Sequence, residues 1–228
     1  SQAAEKKAQA AEAKANQSAM KASEAAKRAD QAEKAAQKAQ KATDQAHAVI
    51  KDKELCDYLL EHSKTILRRN QDRIQEMVRW TVQIKLDHVQ KDVREKGLRL
   101  HLNYGHTIGQ SIEMATGTGN EIYRHGEAVC LGMMAVANLA DHYYGDNLDR
   151  VGFHRRLLEA FNLPCSIDMS KISVDLPTLE GMIYENLKKD KKRVASGLRF
   201  VLVPRPGSAK VVTGIEGQAI RAAIKSLF

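Results

Sequence analysis

The amino-acid sequence divides sharply near residue 47. Residues 1–46 contain no glycine, proline or aromatic residue, whereas all 14 glycines and all 4 prolines of the chain lie beyond them. In this first segment a small residue, usually alanine, recurs at alternating intervals of four and three positions, which is the spacing of heptad positions a and d. Because alanine has the highest helix propensity, this pattern predicts one long helix over residues 1–46, able to form a coiled coil.

The remaining residues, 47–228, form a second predicted domain of mixed composition. Apolar residues recur there mostly at helical spacing, and one late segment alternates as a strand would. Helices are expected over residues 53–63, 70–93, 107–115, 126–144, 150–161, 176–189 and 218–227, and paired strands over 198–203 and 209–213. Pro164 and Pro177 are expected to mark helix starts. The predicted fold class is mainly α: a long alanine-rich helix, then a multihelical domain with one small β-hairpin.

Charge and cysteine content narrow the class of protein. The net charge is +8 at pH 7, but the basic residues are scattered without interleaved aromatics, so no nucleic-acid partner is expected. No run of about 18 apolar residues is present, so no membrane span is predicted. Neither a signal peptide nor a C-x-x-C pair is visible, which favours reduced thiols and a cytoplasmic location. Cys130 is expected to be a core residue.

Two histidines in the middle of the chain follow glycine-rich turns, and each opens an apolar, helix-like run. His106 stands in LNYGHTIGQSIE and His125 in RHGEAV. Neutral imidazole is a preferred zinc ligand, so two such turns can contribute to a catalytic metal site. The alternative for each histidine is a helix cap or a hydrogen bond to a carbonyl. Glu113 and Glu127 are expected either to orient the two rings or to cap helices.

The order and spacing of these motifs resemble the C-terminal domain of 3-dehydroquinate synthase and its sugar-phosphate cyclase relatives. The resemblance begins at Lys85, runs through DVREKGLR at residues 92–99 and the two histidine motifs, and includes a late DKK at residues 190–192. It implies a reaction in which bound NAD oxidises a phosphorylated sugar acid, phosphate is eliminated, the carbonyl is reduced again and a carbocycle closes. It also implies a divalent metal, usually zinc, at the reacting carbon.

The resemblance assigns roles to eight residues of this chain. The residues that match the family's site are His106 and His125 for the metal and Lys85, Arg99, Asn103, Gln110, Lys191 and Lys192 for the substrate. A guanidinium such as that of Arg99 can clamp a carboxylate through two parallel hydrogen bonds. The alternatives are a surface pair of Arg99 with Glu95 or Asp92, and a solvated basic run around the two late lysines.

Three departures from the family's pattern bear on what the chain is expected to do alone. No G-x-G-x-x-G motif and no strand–helix alternation is present, so the family's NAD-binding domain is expected to be absent from these 228 residues. The family's third metal ligand, a glutamate, aligns with Thr43, and a nearby lysine aligns with Ala46. Gln110 replaces a histidine that binds phosphate and moves protons, and an amide cannot titrate. Because two histidines without a third protein ligand make a weak metal site, we expect weak or no stoichiometric zinc binding.

Two hypotheses of different class follow from these patterns. In the first, the chain is an incomplete sugar-phosphate cyclase, most like 3-dehydroquinate synthase, that acts on a phosphorylated sugar acid with a separate NAD-binding domain as partner. In the second, it is a non-catalytic assembly protein whose residues 1–46 join a homo-oligomer and whose cyclase domain is degenerate. The alanine-rich segment resembles helices of bacterial outer-membrane lipoproteins, although their lipidated cysteine is absent. The motifs leave the cyclase branch open, since 2-deoxy-scyllo-inosose synthases carry similar ones.

Overall fold

A computed structural model of the chain describes residues 20–21, 23–27, 51–117, 122–191 and 198–228, with only the backbone at 190 and 191. The chain divides into two units, Ser1–Gln37 and Lys38–Phe228. The described residues of the first unit are helical and exposed. Most of the helix predicted over residues 1–46, including Thr43 and Ala46, lies outside the described residues, so that helix and its coiled coil stay predictions.

The described part of the second unit is mostly helical, as the sequence predicts. Its described α-helices are α1 (Lys53–Leu67), α2 (Gln71–Lys91), α3 (His106–Thr116), α4 (His125–Tyr144), α5 (Arg150–Glu159), α6 (Leu176–Lys191) and α7 (Gly217–Lys225). Two short 3-10 helices span Leu98–Asn103 and Met169–Lys171. Strands β1 (Arg199–Leu202) and β2 (Lys210–Thr213) form the predicted antiparallel hairpin, with Arg199 opposite Thr213. Each predicted helix and strand beyond residue 52 therefore has a counterpart.

Polar caps explain where several helices begin. The Asp52 side chain accepts hydrogen bonds from the backbone N–H groups of Glu54 (2.8 Å) and Leu55 (3.4 Å) ahead of α1, and this satisfies donors that a helix start leaves unpaired. The Asn70 side chain accepts from the backbone of Arg73 (3.0 Å) at the start of α2 in the same way. These side chains fix the helix starts that apolar periodicity alone leaves uncertain.

The two prolines expected to mark helix starts behave differently. Pro177 occupies the first turn of α6, where its missing N–H costs nothing. The prediction for Pro164 is wrong, because it lies in an irregular segment after α5 and no described helix begins there. Asn162 adopts a left-handed φ of 56° just before it. Pro164 thus follows a helix end, another position where proline is common.

Helix α4 forms the centre of the core. From Gly126 to Ala137 it is buried except at Glu127, which is half-buried, and α3, α5, α7 and β1 pack around it. The predicted burial of Cys130 is confirmed, since its side chain is 0% exposed, and all three cysteines are free thiols. An apolar helix surrounded on all sides in this way gives the site that it carries a rigid support.

Strand β1 does not show the alternating burial that was predicted for it. Phe200, Val201 and Leu202 are all buried, because α4 and the 3-10 helix Leu98–Asn103 both pack against the strand. This packing places the first residue of β1 beside the start of α3. None of the described helices combines the length and the hydropathy that a bilayer crossing requires.

Candidate metal and substrate site

The candidate site lies where α3 and α4 cross at close range. Gly105 precedes α3 with φ 75°, a left-handed conformation that favours glycine. Gly109, one turn later, packs so closely on α4 that a Cβ there would lie 2.8 Å from the carbonyl oxygen of Ala128. Gly132 of α4 faces the same crossing from the other side. Glycines at these positions let the first turns of the two helices, which carry His106 and His125, approach each other.

The rings of His106 and His125 lie side by side, with their centroids 5.3 Å apart and their planes inclined by 58°. Imidazole nitrogens bind zinc at about 2.0–2.1 Å, which puts each ring centroid about 3.1 Å from the ion. Two rings that share one ion are therefore separated by about 5–6 Å, depending on the angle at the metal. The observed separation falls in that interval.

Each of the two rings is oriented by a hydrogen bond from its Nδ1 atom. The Nδ1–H of His106 donates to the carbonyl oxygen of Tyr104 at 3.0 Å, and the Nδ1–H of His125 donates to the Glu113 carboxylate at 2.9 Å. Both partners are acceptors only, so Nδ1 carries the hydrogen and Nε2 of the neutral ring keeps a lone pair. Carbonyls and carboxylates that hold a ring in this way are typical partners of metal-binding histidines.

The two histidines differ in environment. His106 is mostly buried, and burial lowers its pKa, although the hydrogen bond to the Tyr104 carbonyl opposes this effect; the neighbouring His125 lowers the pKa further. His106 is therefore neutral at neutral pH and can offer its Nε2 lone pair. The side chains of His125 and Glu113 are 49% and 40% exposed, so this half of the site faces solvent.

A third protein ligand is not found in the part of the chain that the structure describes. Among those residues, no group of three or more His, Cys, Asp or Glu side chains is placed to hold a metal ion. Glu127 instead accepts a hydrogen bond from the backbone N–H of Arg124 at 3.2 Å and caps α4. Catalytic zinc usually has three protein ligands, so the described residues fit a divalent metal through two imidazoles only.

A cavity of about 450 Å³ opens beside His106. Its walls come from the 3-10 helix Leu98–Asn103 with the loop before it, the first turns of α3, and the hairpin with the residue before it. The lining residues are Glu95, Leu100, Asn103, His106, Thr107, Gln110, Leu198, Arg199, Val201 and Val211. The volume is in the range of cavities that hold small molecules, and six of the ten lining residues are polar or charged.

Two of the six predicted substrate residues, Asn103 and Gln110, line this cavity. The Nδ2 group of Asn103 donates to the Glu95 carboxylate at 3.1 Å, which fixes the orientation of the amide. Lys85 is exposed on α2 and does not line the cavity. The side chains of Lys191 and Lys192 lie outside the described residues, so the structure does not place them.

Arg99 also does not line the cavity. Its guanidinium donates to the carbonyl oxygen of Val93 at 3.2 Å, and its backbone N–H donates to the Asp92 carboxylate at 3.1 Å. Further backbone N–H groups, those of Lys96 and Gly97, bond the same carboxylate and lower the pKa of Asp92. Asp92 thus organises the loop that holds Arg99, which is not the surface ion pair considered from the sequence.

Sequence reasoning missed Arg199 and Thr107 as lining residues. The hydroxyl of Thr107 donates to the carbonyl oxygen of Arg199 at 3.1 Å, which joins the start of β1 to the first turn of α3. The available signal was a charged residue at the start of the strand Leu198–Val203, which is otherwise apolar.

A buried pair of side chains supports the loop before His106. The Tyr104 hydroxyl donates to Nε2 of His154 at 2.6 Å, and Nδ1–H of His154 donates to the carbonyl oxygen of Arg150 at 2.7 Å. Burial lowers the pKa of His154 to about 4, so the ring is neutral and its Nε2 accepts the hydrogen bond from the Tyr104 hydroxyl. Tyr104 is thereby fixed at both ends, by its side chain in the core and by its carbonyl on His106.

We expect the variant Glu113→Gln to weaken zinc binding about tenfold, because an amide holds the Nδ1–H of His125 less firmly than a carboxylate does. Zinc affinity is measured by calorimetric titration of the dialysed chain. The variant Glu127→Gln is the matched control, since it changes the cap of α4 and not the histidine pair. Equal losses in both variants, or one tightly held zinc per chain surviving dialysis, would contradict this two-histidine description.

The chain is similar to known proteins over a large part of its length. Residues 45–193 match the family model of the 3-dehydroquinate synthase C-terminal domain. The 3-dehydroquinate synthase of Geobacter metallireducens is 37% identical over 167 residues, which are 73% of this chain and 43% of the relative. That of Syntrophotalea carbinolica is 36% identical over 156 residues, 68% of this chain and 40% of the relative. The chain thus spans less than half the length of these relatives.

Solved structures share the fold. A 2-epi-5-epi-valiolone synthase from Streptomyces hygroscopicus with NAD+ and Zn2+ bound superposes with a TM-score of 0.67 at 24% identity, covering 83% of this chain and 50% of that one. A 2-deoxy-scyllo-inosose synthase complexed with carbaglucose-6-phosphate, NAD+ and Co2+ gives 0.61 at 19% identity, with 84% and 51% covered. These structures show the shared fold, and the match over residues 45–193, more than half of the chain, leads to the conclusion that this chain belongs to the 3-dehydroquinate synthase C-terminal domain family.

Proposed function

We propose that this chain supplies the metal-binding and substrate-binding part of a sugar-phosphate cyclase similar to 3-dehydroquinate synthase. The observation that supports this most directly is the pair of His106 and His125 rings, 5.3 Å apart, beside a cavity lined by Asn103 and Gln110. The proposed substrate is a phosphorylated sugar acid, which loses phosphate and closes to a carbocycle. The enzymatic names of the relatives support this class of reaction.

In this proposal each residue of the site has a limited task. His106 and His125 hold a divalent metal through their Nε2 atoms, and the bound metal polarises an oxygen of the substrate. Asn103, whose amide is fixed by Glu95, offers hydrogen bonds to substrate hydroxyls. Gln110 donates a hydrogen bond but transfers no proton, so acid–base steps take place elsewhere.

The predicted cationic residues are assigned to the anionic groups of the substrate. Lys85 and Arg99, with one of Lys191 and Lys192, are proposed to bind its carboxylate and phosphate. Arg99 is held by its bond to the Val93 carbonyl, so its guanidinium has to exchange that partner to reach the substrate.

We further propose that turnover needs an NAD-binding domain from outside these 228 residues. The sequence contains no G-x-G-x-x-G motif, and the two solved structures that contain NAD+ are about twice as long as the matched region. The 228 residues alone are therefore expected to release no phosphate from substrate.

Complementation tests this proposal. The chain is mixed with the separately expressed N-terminal half of the Geobacter metallireducens relative, NAD, zinc and a heptulosonate phosphate, and inorganic phosphate is measured. Release is expected only when both proteins are present, and His106→Ala should lower it roughly a hundredfold or more, because the metal then keeps one protein ligand. His142→Ala, on the exposed end of α4, is the matched control. No release here, while the relative's own two halves release phosphate, would refute the proposal.

The alternative function is assembly through residues 1–46. The heptad of small residues supports it, as do the helical, exposed residues 20–21 and 23–27. The solution masses of the full chain and of residues 47–228 are compared by light scattering. An oligomer that becomes a monomer on deletion supports an assembly role, and equal numbers of subunits in both would refute it.

A further inference from the structure

One cationic side chain of the cavity, that of Arg199, has no partner among the residues that the structure describes. Arg199 lines the cavity with Asn103, His106 and Gln110. Its side chain is half-buried. Within the described part of the chain its guanidinium makes no hydrogen bond, ion pair or ring contact. An arginine that loses part of its hydration without gaining a partner forgoes interactions that such a group normally makes.

The backbone of Arg199 is held in place from two sides. Arg199 is the first residue of β1 and pairs with Thr213 of β2. Its carbonyl oxygen accepts the hydrogen bond of the Thr107 hydroxyl at 3.1 Å. Thr107 directly follows His106 in α3, so the base of the arginine side chain is tied to the turn that carries the metal-binding histidine.

The two charged side chains that line the cavity, Glu95 and Arg199, differ in their hydrogen bonds. The carboxylate of Glu95, which lines the cavity, accepts a hydrogen bond from Asn103 at 3.1 Å, whereas the Arg199 guanidinium has no partner in the described part of the chain. A guanidinium presents a fixed fork of donors that fits two oxygens of a carboxylate or a phosphate. A small molecule that pairs with Arg199 within the cavity is therefore expected to carry an oxyanion.

We propose that Arg199 binds an oxyanion of the substrate and so makes the cavity selective for acidic sugars. This rests on the proposed function, since it takes the cavity to be the substrate site. The carboxylate and the phosphate of a phosphorylated sugar acid share the required chemistry, and binding measurements separate them.

The experiment measures the binding of two probes, inorganic phosphate and gluconate, to the full chain by NMR titration at constant ionic strength. Arg199→Met is expected to weaken binding of at least one probe about tenfold or more, since charge-assisted bonds to a guanidinium are lost. Arg199→Lys should give an intermediate loss, because it keeps the charge but not the fork. Arg79→Met, an exposed arginine of α2 that does not line the cavity, should bind within about twofold of the wild type.

A loss confined to phosphate assigns Arg199 to the phosphate, and a loss confined to gluconate assigns it to the carboxylate. Unchanged binding in Arg199→Met overturns the proposal, and so does a wild-type chain that binds neither probe. Thermal unfolding of each variant shows whether it is folded, and the lysine variant keeps the test valid if the methionine variant is not. The titrations need no NAD-binding partner, so a failure of phosphate release in the complementation experiment leaves their result standing.

Discussion

Replacing Gly132 with alanine is expected to unfold or severely destabilise the domain. A Cβ at this position would overlap the carbonyl oxygen of Gly105 and lie 2.7 Å from the backbone nitrogen of Gly109. Both are backbone atoms of the turn and helix that carry His106, so no side-chain rotation relieves the contact. Overpacking against movable side chains typically costs 1–3 kcal/mol, and we expect more than about 3 kcal/mol here. Urea unfolding followed by circular dichroism measures this loss.

Gly181→Ala is the matched control for this substitution. Gly181 lies inside α6 and nothing lies within 4 Å of a Cβ built there. Alanine in a helix interior is favoured over glycine by up to about 1 kcal/mol, so this variant is expected to be at least as stable as the wild type. A Gly132→Ala chain with the urea midpoint of the wild type would show that α3 and α4 do not cross as closely as described.

Acidification from pH 6.5 to pH 4 is expected to remove about 3 kcal/mol of stability through His154 alone. Burial lowers the pKa of His154 from the ordinary 6.5 to about 4. Between these values the unfolded chain binds a proton that the native ring refuses, so stability falls as the pH falls through this window. A shift of about 2.5 units corresponds to about 3 kcal/mol. Below pH 4 both states are protonated and this contribution stops changing.

The variant His154→Gln isolates this effect. Glutamine keeps an oxygen that can accept a hydrogen bond from the Tyr104 hydroxyl, but it does not titrate. The free energy of unfolding is measured for both chains at intervals from pH 7 to pH 4, and the wild type should lose about 3 kcal/mol more than the variant. His142→Gln, at an exposed position of α4, should follow the wild type. Parallel curves for wild type and His154→Gln would show that His154 is not a buried neutral ring.

The helices of the second unit could be predicted from the sequence because periodicity and local caps agree there. The run of apolar residues in α4 predicts burial on all faces, and the structure confirms it. Two features could not be predicted in this way. Strand β1 is covered on both faces, so its sequence alternation did not translate into alternating burial. The prediction for Pro164 was wrong because the sequence alone does not distinguish a proline that follows a helix from one that begins a helix.

The site could be predicted only where one local motif carries the side chain to its place. His106 and His125 each open a helix after a turn, so their motifs indicated both the residues and their positions. The surroundings of Arg99 depend on the Asp92 carboxylate, which gathers three backbone N–H groups from residues 96, 97 and 99. Arg199 reaches the cavity through the packing of a distant strand on α3. Neither the hydrogen bonds within this loop nor the packing of a distant strand can be predicted from residue spacing.

Tyr104 is held by its side chain and by its carbonyl, and this distinguishes the residues that folding requires from those that only metal binding requires. Its side chain is 1% exposed and its hydroxyl is bonded to His154, so the stability of the fold depends on it. The Glu113–His125 pair lies at the rim, about half exposed, and folding depends on it far less. If the metal-binding role were lost, the exposed Glu113–His125 pair would therefore tolerate substitution before the buried Tyr104 did.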